Sequence, residues 1–83
     1  MIEAINIGRV TAAKLEDAGI DSIEKLKVTG STQAFLRLQA LDPGACLCLL
    51  YGLEGAIEGV KWNQLPADKK RELKEFFKRH KAE

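Results

Sequence analysis

The chain has 83 residues, 46% of them apolar and 30% charged, with both signs of charge mixed and a net charge of +1. That is one domain's worth of chain, short enough to bury only about 60% of its unfolded surface, so its core must be efficient. The mixture excludes a disordered chain and provides no overall basic excess to carry nucleic-acid binding by charge alone. In chain order, Met1-Ile2-Glu3 lacks the basic and apolar runs of a signal peptide. A first helix is predicted over residues 9–18, after Ile5-Asn6-Ile7-Gly8, and Gly19-Ile20 is a Schellman-type stop. Asp21 or Ser22 caps a short second helix over residues 23–28, which Gly30 ends. The third helix starts at Ser31 or Thr32 and reaches Leu41, with Phe35, Leu36, Leu38 and Leu41 facing inward. Asp42-Pro43 breaks the chain and opens a fourth helix that ends near Gly59. Residues 61–65 form a loop holding the chain's one tryptophan, and Pro66 starts a fifth helix reaching about Lys81. No period-two alternation competes with this all-α pattern. The expected fold is a small orthogonal bundle of four to five helices, a single domain over residues 1–83. Its core is expected to hold Ile7, Leu15, Ile20, Ile23, Leu26, Phe35, Leu38, Leu49, Leu50, Leu53, Ile57, Trp62, Leu73 and Phe77.

A helical wheel divides the fourth helix into three sectors. Cys46, Leu49, Leu50, Leu53, Ile57 and Val60 form a large apolar face, while Leu47, Tyr51, Glu54 and Glu58 form another. Between them lies a face of small residues: Cys48, Gly52, Gly55, Ala56 and Gly59. An interior glycine costs a helix about 1 kcal/mol relative to alanine, so Gly52 and Gly55 require a compensating close approach. Its source is either an internal partner, such as the first or third helix, or a homodimer seam. Cys46 and Cys48, placed on a helix, point about 200° apart and read as reduced, partly buried thiols. Structural zinc needs four such ligands, and the chain adds only His80. Glu54 and Glu58 read as a solvated or ion-paired edge rather than an acid–base pair. The stretch over residues 45–57 is too short and too rich in Gly and Glu to span a bilayer. No membrane partner is expected, and the cytoplasm is the expected compartment.

The fifth helix segregates its charges. Residues 66–83 carry seven cations against four carboxylates, a net of three positive charges, so the rest of the chain carries two negative ones. Pro66, Leu73, Phe76, Phe77 and His80 make a docking stripe, flanked on one side by Lys70, Arg71, Lys74, Lys78 and Lys81. This flank is either a solvated face or a basic stripe for phosphates or an acidic partner.

At the other end, Ile5-Asn6-Ile7-Gly8 leads directly into a helix whose free N–H groups attract anions, and glycine lets a phosphate approach closely. Helix-hairpin-helix modules hold a nucleic-acid backbone this way without reading bases. Here Arg9, Thr11 and Lys14 supply candidate side chains, and Asn6 stands where such hairpins commonly carry glycine. The run Asn6-Ile7-Gly8, Ala12, Leu15, Gly19-Ile20 and Ser22-Ile23-Glu24-Lys25-Leu26 resembles the opening of the C-terminal domain of the TfoX/Sxy competence regulators. The likeness continues through Ala34-Phe35-Leu36-Arg37-Leu38, Leu41-Asp42-Pro43 and Leu49-Leu50-Tyr51-Gly52-Leu53-Glu54-Gly55-Ala56-Ile57. It closes with Trp62-Asn63-Gln64-Leu65-Pro66 and with Lys70 to Leu73. The resemblance implies an all-helical domain with a helix-hairpin-helix-like N-terminal half. It implies a bacterial setting in transcription regulation of competence genes, exercised with a transcription activator. Full-length members also carry an N-terminal α/β domain, so the resemblance implies a stand-alone version of the C-terminal one. Relatives often carry proline where Arg9 stands here, and arginine adds a cation at the hairpin.

Two readings follow. In the first, a non-enzymatic regulatory module holds a nucleic-acid backbone through Gly8, Arg9, Thr11, Lys14, Lys70, Lys74 and Lys78. In the second, it docks a transcription-related protein or a second copy of itself, through Cys48, Gly52, Gly55, Ala56 and Gly59. No nucleophile–base set, phosphate loop or cofactor motif is visible, so no enzyme activity, cofactor or metal is expected.

Overall fold

A computed structural model describes residues 2–80. Five helices follow in order: α1 (Arg9–Asp17), α2 (Ile23–Thr29), α3 (Ser31–Leu41), α4 (Leu47–Glu58) and α5 (Ala67–Arg79), with a 3-10 turn at Trp62–Gln64 before the last. The fold is all-α, and its only extended pairing among the described residues is an isolated bridge between Ala4 and Ile7. No described helix is long and apolar enough to cross a membrane.

Local chemistry sets most of these boundaries. The Ile20 N–H donates to the Leu15 carbonyl (2.8 Å) and the Gly19 N–H to that of Glu16 (3.0 Å). That is the Schellman pairing expected after α1, and Leu15 and Ile20, which it brings together, are both fully buried. Ser22 rather than Asp21 caps α2, its Oγ accepting the Lys25 N–H at 3.1 Å; Asp21 instead pairs with the Lys25 ammonium at 2.9 Å. Gly30 serves both α2 and α3 at φ 86° and ψ 153°, a region that only glycine occupies without strain. One residue therefore makes the corner between two helices.

The fourth helix starts later than the sequence suggests. Residues 42–45 form a turn, begun by the Asp42 carboxylate accepting the Gly44 N–H at 3.0 Å. This side-chain hydrogen bond competes with helix geometry and leaves Pro43 outside α4. The helix then runs through the centre of the molecule, packed against α2, α3, α5 and the 3-10 turn.

The buried core is Ile2, Ala12, Leu15, Ile20, Leu26, Ala34, Phe35, Leu38, Leu50, Leu53, Ala56, Leu65 and Leu73. Phe77 is half-buried and meets Phe35 edge to face (5.9 Å, 62°). Ile7, Ile23, Leu49 and Ile57 pack at the edge of this core, half-buried. Two expectations fail. Leu41, at the last position of α3, is 54% exposed, and Trp62 is 43% exposed rather than a core lid. Of the α5 stripe, Leu73 is buried, Phe76 and Phe77 are half-buried, and Pro66 and His80 are exposed. The His80 ring folds back onto that of Phe76 at 4.1 Å. Lys81 lies outside the described residues.

Candidate functional site

The segment before α1 is a tight turn. The Ile7 N–H donates to the Ala4 carbonyl at 3.2 Å, and Asn6 adopts a left-handed backbone at φ 71°. Turns of this kind require positive φ at their third position, which Gly and Asn tolerate. Asn6 then does what glycine cannot. Its Nδ2 donates to the carbonyls of Val60 (2.8 Å) and, at the limit of a hydrogen bond, Gly52 (3.5 Å), while its Oδ1 accepts the Trp62 N–H (3.1 Å). Carbonyls only accept and N–H groups only donate, so the partners fix the orientation of the amide. One side chain thus ties the turn to α4 and to the loop that follows it.

The small residues of α4 make room for this clasp. A Cβ at Gly55 would lie 2.5 Å from Asn6 Nδ2 and 2.7 Å from the Val60 carbonyl oxygen, and one at Gly52 would touch Asn6 at 3.5 Å. The compensating partner of the two interior glycines is therefore the N-terminal turn and the 60–62 backbone, neither the first nor the third helix. Of the residues considered for a self-association seam, Gly52, Gly55 and Ala56 are buried within the protomer, and Cys48 and Gly59 are exposed.

The clasped turn presents the start of α1 to solvent. Gly8 is the N-cap, with no side-chain cap and no acidic residue in the first turn, so the first N–H groups find no side-chain acceptor among the described residues. Its φ of −87° suits any residue, and a Cβ there would meet nothing within 4 Å. Nothing inside the protomer requires glycine at this position. Arg9 is exposed and makes no ion pair among the described residues, Val10 is 69% exposed, and Thr11 is half-buried.

The other candidate cations divide. Lys14 donates to the Asp42 carboxylate at 2.7 Å. Its hydrogen bond, with that of the Gly44 N–H, holds the Asp42 carboxyl below the usual range. Lys70 is drawn to the 3-10 turn: its ammonium lies 5.7 Å over the Trp62 ring and donates to the Asn63 carbonyl at 3.4 Å. Through Trp62 and its bond to Asn6, Lys70 belongs to the same side of the molecule as the hairpin. Lys74 and Lys78 are exposed one and two turns further along α5, about 6 and 12 Å along the axis. Thr11 and Trp62 line one groove, with Lys70 over the Trp62 ring and Gly8 and Arg9 just ahead of Thr11 at the start of α1; Lys14 is engaged by Asp42.

Beside the hairpin lies a groove of about 290 Å³, lined by Asn6, Thr11, Cys46, Cys48, Leu49 and Trp62 among others. Cys46 is the extended N-cap of α4, outside the helix, so the helical-wheel angle does not apply to the pair. Both thiols are free and exposed, and both open onto this groove. Trp62 is among its lining residues, and its ring lies near-parallel to that of Tyr51 (6.2 Å, 6°). On the far side of α4, Glu54 accepts the hydroxyl of buried Ser31 at 2.6 Å. Burial pushes its carboxyl up, but hydrogen bonds from Glu58 and Ser31 and the Lys69 charge outweigh that and lower it. Glu58, hydrogen-bonded to Glu54, is raised in turn. No group of three or more His, Cys, Asp or Glu residues converges as a metal site among the described residues.

The part sequence reasoning missed is the groove. Its one visible signal was Asn6 at a glycine position, which marks a left-handed residue with a side chain to spend.

The chain matches the model of the TfoX C-terminal domain family over residues 2–77. It is similar to two solved structures of Listeria monocytogenes proteins. One, an uncharacterized protein in a triclinic form, is 46% identical over 89% of this chain and 84% of that one, with a TM-score of 0.88. The other, a protein of unknown function in a tetragonal form, is 44% identical over 93% of this chain and 95% of that one, with a TM-score of 0.90. No curated protein matches the chain.

Proposed function

The chain belongs to the TfoX C-terminal domain family, and on that premise we propose that it is a non-catalytic module that holds a nucleic-acid backbone at the hairpin of residues 4–9. One observation carries this reading: the first turn of α1 opens to solvent behind Gly8, a glycine that neither backbone angle nor packing calls for. An external group that must approach the backbone closely, such as a phosphate on helix N–H groups, gives that glycine a reason. Arg9 adds a cation, and Lys70 a second across Trp62. The family link supports reading such a role in competence-type transcription regulation.

A salt titration of binding to generic duplex DNA by fluorescence anisotropy tests the reading. Neutralising two or three phosphates gives a log–log slope of roughly −2 to −3. Arg9→Glu should weaken binding at every sequence and flatten that slope by about one. No binding at low salt, or binding indifferent to salt, removes the proposal.

A second reading, docking of a protein partner, draws on exposed large apolar side chains: Val10 at 69%, Val28 at 89% and Leu41 at 54%. A monomeric chain that ignores DNA at low salt would favour it. Self-association through the glycine face of α4 lacks its seam, because Gly52 and Gly55 are already covered by Asn6.

A further inference from the structure

The groove beside the hairpin counts Trp62 among an uncharged lining, and Lys70 lies over the indole ring. Trp62 is the most exposed aromatic residue there. Its backbone N–H is held by Asn6, which fixes the main chain from which the indole projects, and its ring lies near-parallel to that of Tyr51. At 6.2 Å between centroids the two rings are offset, so Tyr51 covers only part of one indole face, and Trp62 stays 43% exposed. A ring already packed against a neighbour loses less entropy when something stacks on it than a free one. The groove-lining residues include no acid, and neither α1 nor α4, whose starts face it, has an acidic residue in its first turn. Lys70 rests over the indole on a flexible stem, and an anion can draw it aside.

A ligand that matches is flat, π-faced and tied to an anion. At about 290 Å³ the groove lies at the small end of ligand pockets. It has room for one ring system and none for a folded partner. A duplex hides its ring faces in the stack, whereas a single strand offers base and phosphate together. We infer that Trp62 is a stacking platform for an unpaired nucleobase, so that the nucleic acid this site prefers is single-stranded, with its phosphate at Gly8-Arg9 and Lys70 alongside. This rests on the hairpin reading and adds strand selectivity to it.

The chain holds one tryptophan, so its emission reports the site directly. The full-length chain is titrated at low salt with a short oligothymidine and with a duplex of equal length, following tryptophan emission and anisotropy of the labelled nucleic acid. The single strand is expected to quench Trp62 and to bind several-fold more tightly than the duplex. Trp62→Leu should lower single-strand affinity by about five- to a hundred-fold and duplex affinity by far less, and Trp62→Phe should retain most of the single-strand affinity. Equal binding of strand and duplex, or binding of the strand without quenching, overturns the stacking inference and leaves the hairpin reading standing. No binding of either probe overturns both. Should Trp62→Leu fail to fold, the wild-type quenching and the Trp62→Phe affinity decide.

Discussion

At Asn6 a left-handed backbone and a three-way amide are combined in one residue. Removing the amide leaves the Trp62 N–H and Val60 carbonyl short of a partner, each worth about 1 kcal/mol or more where water is excluded. Asn6→Ala also places an ordinary side chain at φ 71°, costing about another 1–2 kcal/mol. Asn6→Gly keeps the backbone easy and loses only the clasp. Urea denaturation should therefore rank wild type above Asn6→Gly, and Asn6→Gly above Asn6→Ala, with about 3–4 kcal/mol between the extremes. Equal stability of the two variants would mean the backbone conformation contributes nothing. Gly55→Ala strikes the same clasp from the other side, since its Cβ meets Nδ2 and a backbone carbonyl. Its cost should be about 1–3 kcal/mol. Because it shares partners with Asn6, the double variant should lose less than the sum of the singles.

The helices respond to pH through their carboxylates. Glu54 is lowered and Glu58 raised from the ordinary 4.5. A lowered carboxyl stabilises the fold above its unfolded value, and that contribution is lost as pH falls through the folded one. A raised carboxyl does the reverse: its contribution is present at low pH and is lost as pH rises through the folded value. Across the carboxylate range the two residues of α4 therefore oppose each other. At neutral pH Glu58 is left as a like charge one turn from Glu54. Glu58→Gln keeps a hydrogen-bond donor for Glu54 and removes the repulsion. It should raise stability at pH 7 by a few tenths of a kcal/mol, a difference that shrinks as the pH falls through the raised Glu58 value toward 4.5. A variant that loses stability at pH 7 would show that the Glu58 charge is useful, with Lys69 as its partner. The corner between α2 and α3 depends on backbone alone. Gly30→Ala meets no atom within 4 Å, yet at φ 86° and ψ 153° it should cost about 1–3 kcal/mol by thermal or chemical denaturation.

Over the whole molecule, the N-terminal segment is part of the core rather than a tail. Ile2 is buried, and Asn6 closes the loop after α4, so the start of the chain and the centre of the bundle stabilise one another. Ile2→Ala should cost about 2–4 kcal/mol, measured as a shift in urea midpoint without a change in slope. Charge acts at this scale too. With a net charge of +1, long-range attraction to nucleic acid is weak, so binding must come from the local array at Gly8, Arg9 and Lys70. Lys74→Glu with Lys78→Glu should therefore weaken DNA binding less than Arg9→Glu alone. The reverse order would move the contact face from the hairpin to α5.

The helices, their order and most of the core were legible in the sequence because their causes are local. Gly19-Ile20 stops a helix wherever it occurs, Ser22 caps the next residue's helix, and the spacing of Leu15, Leu26, Phe35, Leu38, Leu50 and Leu53 marks buried faces at helical period. The later start of α4 was less legible, since it depends on whether the Asp42 carboxylate bonds the Gly44 N–H or Pro43 begins a helix, and both suit the same residues. The candidate site was legible only in part. Gly8 and Arg9 stand out because a glycine before a helix is a local signal. That Lys14 is engaged by Asp42, that Lys70 is carried over Trp62, and that Cys46 and Cys48 share a groove are contacts between residues distant in the chain or in conformations the helical wheel does not describe. The glycine face of α4 was visible, but not what covers it: an interior glycine records that something comes close, and only the packed chain decides that this is Asn6.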